Sequence, residues 1–124
     1  MDDDADDRFF LSRAIDDLNS EVVVIEAQNG LEALDYLNDV KNSGKPLPCV
    51  ISLDINMPYL DGKQTFQRIR ADSFFSKIPV VVFTNSGNPN DKTLFKSYGV
   101  ELFVKPDNIS YMNEIARNLL AYCG

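Results

Sequence analysis

Three apolar runs, each stopped by one polar residue, constrain this chain more than any other feature. Cys49–Leu53 ends at Asp54, Val80–Phe83 at Thr84 and Leu102–Val104 at Lys105. The runs are almost wholly apolar, as in strands covered on both faces, and such strands belong to parallel sheets flanked by helices. In an open sheet of that kind, ligand chemistry gathers just beyond the carboxyl ends of the strands. Asp54, Thr84 and Lys105 all fall at such ends. An acid, a hydroxyl and a cation brought together suit the acceptance of a phosphoryl group, because phosphoryl transfer is mostly positioning and charge stabilisation.

Segments of helical period separate the runs. Asp6–Asn19 carries Phe10, Leu11, Ala14, Ile15 and Leu18 at helical spacing. Asn29-Gly30 caps a second helix with Leu31, Leu34, Leu37 and Val40 on one face. Further helices are expected over Gly62–Ala71, over Asp91–Tyr98 with a stop at Gly99, and over Ile109–Tyr122. The β-branched run Val22–Ile25 predicts one more strand, beside strands at 49–53, 79–83 and 100–104. Gly, Pro and Asn content marks 42–48 and 85–90 as loops. Strands alternating with helices imply right-handed crossovers, hence an α/β doubly wound parallel sheet with helices on both faces. At 124 residues the chain is expected to be one domain, 1–124.

Charge and cysteine usage narrow the partners. With 19 acidic and 12 basic residues and a formal charge of −7, the chain is a poor match for nucleic acid or an anionic membrane. No run approaches the roughly 20 apolar residues of a transmembrane helix, and no signal peptide is visible. Cys49 opens an apolar run and Cys123 is next to last. Cysteines in such unlike settings read as free thiols of a reducing compartment, so the cytoplasm is expected. The chain has no histidine, so any phosphohistidine donor lies on another protein.

Over nearly its whole length the chain resembles the receiver domain of two-component response regulators. The resemblance is carried by Asp2-Asp3-Asp4, by Leu53-Asp54-Ile55-Asn56-Met57-Pro58 with Asp61-Gly62, by Thr84, and by Lys105-Pro106, in that order. It implies a flavodoxin-like fold with Asp54 as phosphoacceptor. Asp3, Asp54 and the backbone carbonyl of Asn56 would hold Mg²⁺, with Asp2 or Asp4 behind them. Thr84 and Lys105 would contact the phosphoryl oxygens, and the Lys105–Pro106 bond would be cis. Asn56 and Ser86 would flank the attacking water, and Thr84 and Leu102 would form the switch. Mg²⁺ independently suits such a site, because it takes oxygen ligands and crowded acids favour a cation among them.

Three residue patterns depart from the family. The chain opens Met1-Asp2-Asp3, where receivers have an apolar strand leading into the acids. In the family's 2-1-3-4-5 order that strand is central. Without it, the segments 22–25 and 49–53 lack a common neighbour and an ordinary receiver monomer is not expected. Leu102 stands where many receivers carry an aromatic, and Asn85 follows Thr84 where a small residue is usual.

The function expected on this basis is that of a stand-alone, non-enzymatic phosphoacceptor that promotes its own phosphorylation and dephosphorylation. Its donor would be a sensor histidine kinase or histidine phosphotransfer protein. Its output would be contact with a downstream protein, and a homodimer is left open. The alternative is a phosphorylation-independent binding module of receiver type. An acid phosphatase with Asp54 as nucleophile ranks third, because it needs a general acid two residues on and Asn56 cannot supply one.

Overall fold

A computed structural model describes residues 1–57, 59–84, 88–105 and 112–123. The elements run α1 (Ala5–Leu18), α2 (Gly30–Ser43), β1 (Ile51–Leu53), α3 (Gly62–Ala71), β2 (Val80–Thr84), α4 (Pro89–Ser97), β3 (Leu102–Val104) and α5 (Met112–Leu120). The three strands form a parallel sheet in the order β1-β2-β3. Leu53 is in register with Val82, and Thr84 with Val104. No helix among the described residues is long and apolar enough to cross a membrane.

Period-two alternation on β2 divides the core between the faces of the sheet. Val80 and Val82 pack with Leu37, Phe66, Ile69 and Phe95 from α2, α3 and α4. Val81 and Phe83 pack with Ala14, Ile15, Ile115 and Leu119 from α1 and α5. Helices therefore cover both faces, as expected for a flavodoxin-like sheet. The helix ends follow from short polar side chains that satisfy otherwise orphaned amides. Asp4 accepts from the Asp6 and Asp7 amides, Asn29 from Glu32, and Asp61 from Gln64. Gly99 ends α4 in the left-handed region, at φ 74°, which a glycine enters without strain.

Two expectations fail. Residues 22–25 are not a strand. They run extended but irregular, with Val22 and Val24 half-buried on the second core cluster and Val23 and Ile25 exposed. A strand needs a hydrogen-bonding neighbour, and here only Met1 and Asp2 lie between this segment and β1. The Met1 amino group donates to the Ser52 carbonyl at 2.8 Å, and the Asp54 amide donates to the Met1 carbonyl at 2.9 Å. On the other side the Asp2 amide donates to the Ala27 carbonyl at 2.9 Å. Those three bonds are the last rung of a parallel ladder. Beyond that rung lies an apolar groove of about 210 Å³, lined among others by Leu11, Ile15, Val22, Val24, Leu37 and Val50.

The second correction concerns the cysteines. Cys49 and Cys123 are not free thiols but form a disulfide, with Cα atoms 5.1 Å apart. The cause is packing. α5 lies along α1 on one face of the sheet, and the turn that follows it delivers Cys123 to the residues leading into β1, on the wall of the same groove.

Candidate functional site

Strand ends assemble the site. Asp54 directly follows β1, Thr84 is the last residue of β2, and Lys105 directly follows β3. The Lys105 amide donates to the Thr84 carbonyl at 2.7 Å, which extends the ladder by one rung. Asp2 is delivered from the far side by the Met1–Asp2 rung against β1. Asp54 and Asp2 are both nearly inaccessible to solvent, and Thr84 is fully buried. Gly62 allows this closeness. A Cβ on it would overlap the Asp54 carbonyl oxygen and lie 2.6 Å from the Ile55 Cα.

The Lys105 ammonium is the hub. It donates to Asp2 Oδ2 at 2.6 Å, to Asp7 Oδ2 at 2.8 Å and to Asp54 Oδ2 at 3.1 Å. Its side chain is only 3% exposed, and it also faces the Phe83 ring at 5.6 Å from the centroid. Burial pushes the Lys105 ammonium down, but hydrogen bonds to Asp2 and Asp7, with attraction from Asp54 and Asp2, outweigh it and hold the group above its ordinary value. Burial holds the Asp2 carboxyl above the usual range, and Lys105 offsets only part of that. Three carboxylates around one ammonium leave excess negative charge, the condition that favours an added cation.

Asp3 completes that picture. It is exposed, and its carboxylate lies within 4.8 Å of those of Asp2 and Asp54, one oxygen from each. Hard oxygen donors in that grouping fit a divalent cation such as Mg²⁺, which needs few protein ligands because it keeps several waters. The Asn56 amide donates to Asp54 Oδ1 at 3.1 Å, fixing the carboxylate's orientation. Asp4 does not join the group, because its carboxylate is engaged as the cap of α1. Leu102 is half-buried against the first core cluster. Ser86 and the Lys105–Pro106 bond lie outside the described residues.

Asp7 was not anticipated as a site residue. In sequence it belongs to the acidic stretch Asp2–Asp7, whose reading stopped at Asp4. Local sequence carries no such signal, because an acid in the first turn of α1 is already accounted for by the helix dipole. Arg8, the next residue, donates to the Asp2 carbonyl at 2.7 Å and pairs with Glu26 at 3.4 Å, holding the first turn of α1 against the site.

The chain is similar in sequence and fold to known proteins. The model of the response regulator receiver domain family matches residues 1–116. Response regulator Rre1 of Synechocystis sp. is 38% identical over 96 residues, covering 77% of this chain and 39% of that protein. Chemotaxis protein CheY1 of Helicobacter pylori is 33% identical over 84 residues, 67% of this chain and 64% of that protein. The chain thus spans less than two thirds of the length of these curated relatives. Among solved structures, the phosphorylated cyanobacterial phytochrome response regulator RcpA superposes with a TM-score of 0.85 at 25% identity, covering 98% of this chain and 89% of that one. A two-component response regulator from Legionella pneumophila gives a TM-score of 0.78 at 29% identity, covering 98% and 95%. The chain therefore belongs to the response regulator receiver domain family of two-component signalling.

Proposed function

We propose that this receiver, one domain over residues 1–124, takes a phosphoryl group from a phosphohistidine donor onto Asp54 and signals through protein–protein contacts. The observation that carries the reading is the convergence of Asp54, Asp2 and Asp3 on one side and Lys105 on the other at the carboxyl ends of the strands. Similarity to RcpA, whose structure is of the phosphorylated form, supports it. The donor would be a cytoplasmic sensor histidine kinase or histidine phosphotransfer protein, and the output a downstream protein.

Mg²⁺, held by Asp3, Asp54 and the Asn56 carbonyl with Asp2 behind them, would supply charge neutralisation at the phosphoryl oxygens. An Asp54 carboxylate oxygen attacks phosphorus. The phosphorus–nitrogen bond breaks, and the departing imidazole nitrogen keeps the electron pair and takes a proton. Lys105 shifts from carboxylate to phosphoryl oxygen, and the Thr84 hydroxyl donates to another. Loss of the group follows when water attacks phosphorus and the bond to Asp54 breaks. Asn56 and Ser86 position or obstruct that water, since neither is a strong base. The added −1.5 to −2 charges draw Thr84 and Lys105 inward and bias α4 and Leu102.

Intact mass after incubation with acetyl phosphate and Mg²⁺ tests the reading. One phosphoryl adduct is expected on the wild type and none on Asp54→Asn. An unchanged adduct on that variant removes Asp54 from the role. Lys105 already has a carboxylate for each of its three donors, and this favours a second reading, a phosphorylation-independent binding module. That reading is identified by no adduct on a folded wild type.

A further inference from the structure

We propose that Asp7 is a positioning residue that competes with an incoming phosphoryl group for Lys105, and so sets how readily Asp54 takes up that group. The inference rests on Asp54 being the phosphoacceptor.

Geometry distinguishes Asp7 from the other partners of Lys105. An ammonium has three donors, and here they go to Asp2, Asp7 and Asp54. The bond to Asp54 is the longest, at 3.1 Å, against 2.8 Å to Asp7. Asp7 does not reach Lys105 from a strand end. It stands in the first turn of α1, where its amide donates to Asp4 Oδ1 at 3.1 Å and the helix dipole favours its negative charge. Its carboxylate is therefore anchored independently of the sheet.

To meet a phosphoryl oxygen on Asp54, Lys105 must give up a carboxylate. Asp2 holds it at 2.6 Å with a side chain 12% exposed, whereas the Asp7 side chain is 23% exposed. A carboxylate with more access to water is rehydrated at lower cost, so the Asp7 bond is the one released. Asp7 also adds a negative charge beside the path of an anionic donor, and like charges repel across a site of low dielectric. Both effects make Asp7 a restraint on uptake. Release of Lys105 removes one contact of the first turn of α1, while the Arg8 bond to the Asp2 carbonyl keeps that turn against the site.

The test is the time course of adduct formation with acetyl phosphate and Mg²⁺, followed by intact mass. Asp7→Asn, which keeps the shape and loses the charge, should speed uptake about three- to ten-fold. Asp7→Glu should restore the slow rate, and all variants are assayed at saturating Mg²⁺, so that a change in cation affinity from the lost charge does not enter the comparison. A purely structural role for Asp7 would not produce faster uptake with rescue by the charged variant. Unchanged or slower uptake in a folded Asp7→Asn overturns the proposal and leaves the phosphoacceptor reading intact. A folded wild type that forms no adduct overturns both. If Asp7→Asn does not fold, Asp7→Ser carries the same expectation and the same criterion.

Discussion

Gly62 is pressed against the backbone of Asp54 so closely that no side chain fits between them. A Cβ there would overlap the Asp54 carbonyl oxygen, and backbone atoms cannot swing away as a flexible side chain can. The Gly62 amide also donates to the Ile55 carbonyl at 2.8 Å, locking the first turn of α3 to the segment that presents the acid. Gly62→Ala should destabilise the domain by about 1–3 kcal/mol, the usual range for overpacking. It should also slow phosphoryl uptake by more than the stability loss explains, because Asp54 itself is displaced. Chemical denaturation and adduct kinetics below the unfolding transition measure the two effects separately. Wild-type kinetics in a folded Gly62→Ala would show that Asp54 does not depend on this contact.

The acidic residues Asp3 and Asp4 are neighbours in sequence with different tasks. The Asp3 carboxylate lies with those of Asp2 and Asp54, whereas Asp4 accepts from two amides at the start of α1. Loss of outer partners alone lowers metal affinity about 10–100-fold, so Asp3→Ala should weaken Mg²⁺ binding by at least roughly that much. Asp4→Ala should leave Mg²⁺ affinity near wild type and lower stability by about 1 kcal/mol, the worth of a helix cap. Calorimetric titration with Mg²⁺ and urea denaturation of both variants give the comparison. Equal affinity loss in the two would place the site further along the acidic stretch.

Much of this arrangement could be read from the residues, and the exceptions have physical causes. Apolar runs locate β1 and β2 because strands covered on both faces carry no ambiguity of face; the same signal finds β3, although that edge strand is only half-buried and its Val104 is exposed. The caps Asn29 and Asp61 and the stop at Gly99 mark helix ends because each meets a local backbone need. The site at the strand ends follows from topology, which places Asp54, Thr84 and Lys105 side by side wherever the strands are parallel. Local patterns could not foresee tertiary partners. Val22–Ile25 has strand propensity in full, yet without a neighbour for its backbone it remains irregular. Asp7 reads as one more solvated acid until α1 is docked beside Lys105. The Cys49–Cys123 disulfide joins residues 74 positions apart, and only the course of α5 brings them together.

Asp72 gives the fold a measurable pH dependence away from the acidic site. Its carboxylate accepts from the Phe74 amide at 2.8 Å and from Lys41 at 3.2 Å, and the Phe74 bond holds the carboxyl below its ordinary value. A carboxyl with a lowered folded-state value binds fewer protons folded than unfolded. Its stabilisation is therefore present above the unfolded value of 3.8 and is lost as pH falls through the lower folded value. Asp72→Ala should be less stable than wild type at neutral pH, and the gap should begin to narrow near about pH 5 and close only below the lowered folded value. Urea midpoints across that interval show the convergence. A gap that persists unchanged at the acid end would mean that Asp72 acts through packing and not through its charge.

The groove between β1 and the 22–27 segment predicts how the fold can be completed. In a parallel ladder, alternate residues point their amide and carbonyl to the same side. The Val50 carbonyl and the Ser52 amide therefore face the groove, on the side where the Ser52 carbonyl already receives the Met1 amino group. That amino group is itself buried, and burial pushes it down to about 6 from an ordinary 8.0. Residues added ahead of Met1 would turn it into an amide that still donates to Ser52, without a charge to bury. Their side chains would meet Leu11, Ile15, Val24 and Leu37 on the groove walls. Each aliphatic side chain fully buried is worth about 1.5–3 kcal/mol. A five-residue extension such as Met-Ile-Val-Leu-Val ahead of Met1 should therefore raise Tm by more than about 10 °C. It should also convert residues 22–25 into a hydrogen-bonded strand, visible as slowed amide exchange there and at Ser52. An extension of the same length made of Ser and Gly, which adds chain without apolar surface, should do neither. Equal melting of the two extended proteins would show that the groove is not a strand site and that the 22–27 segment is held by its contacts with α1 and α5 alone.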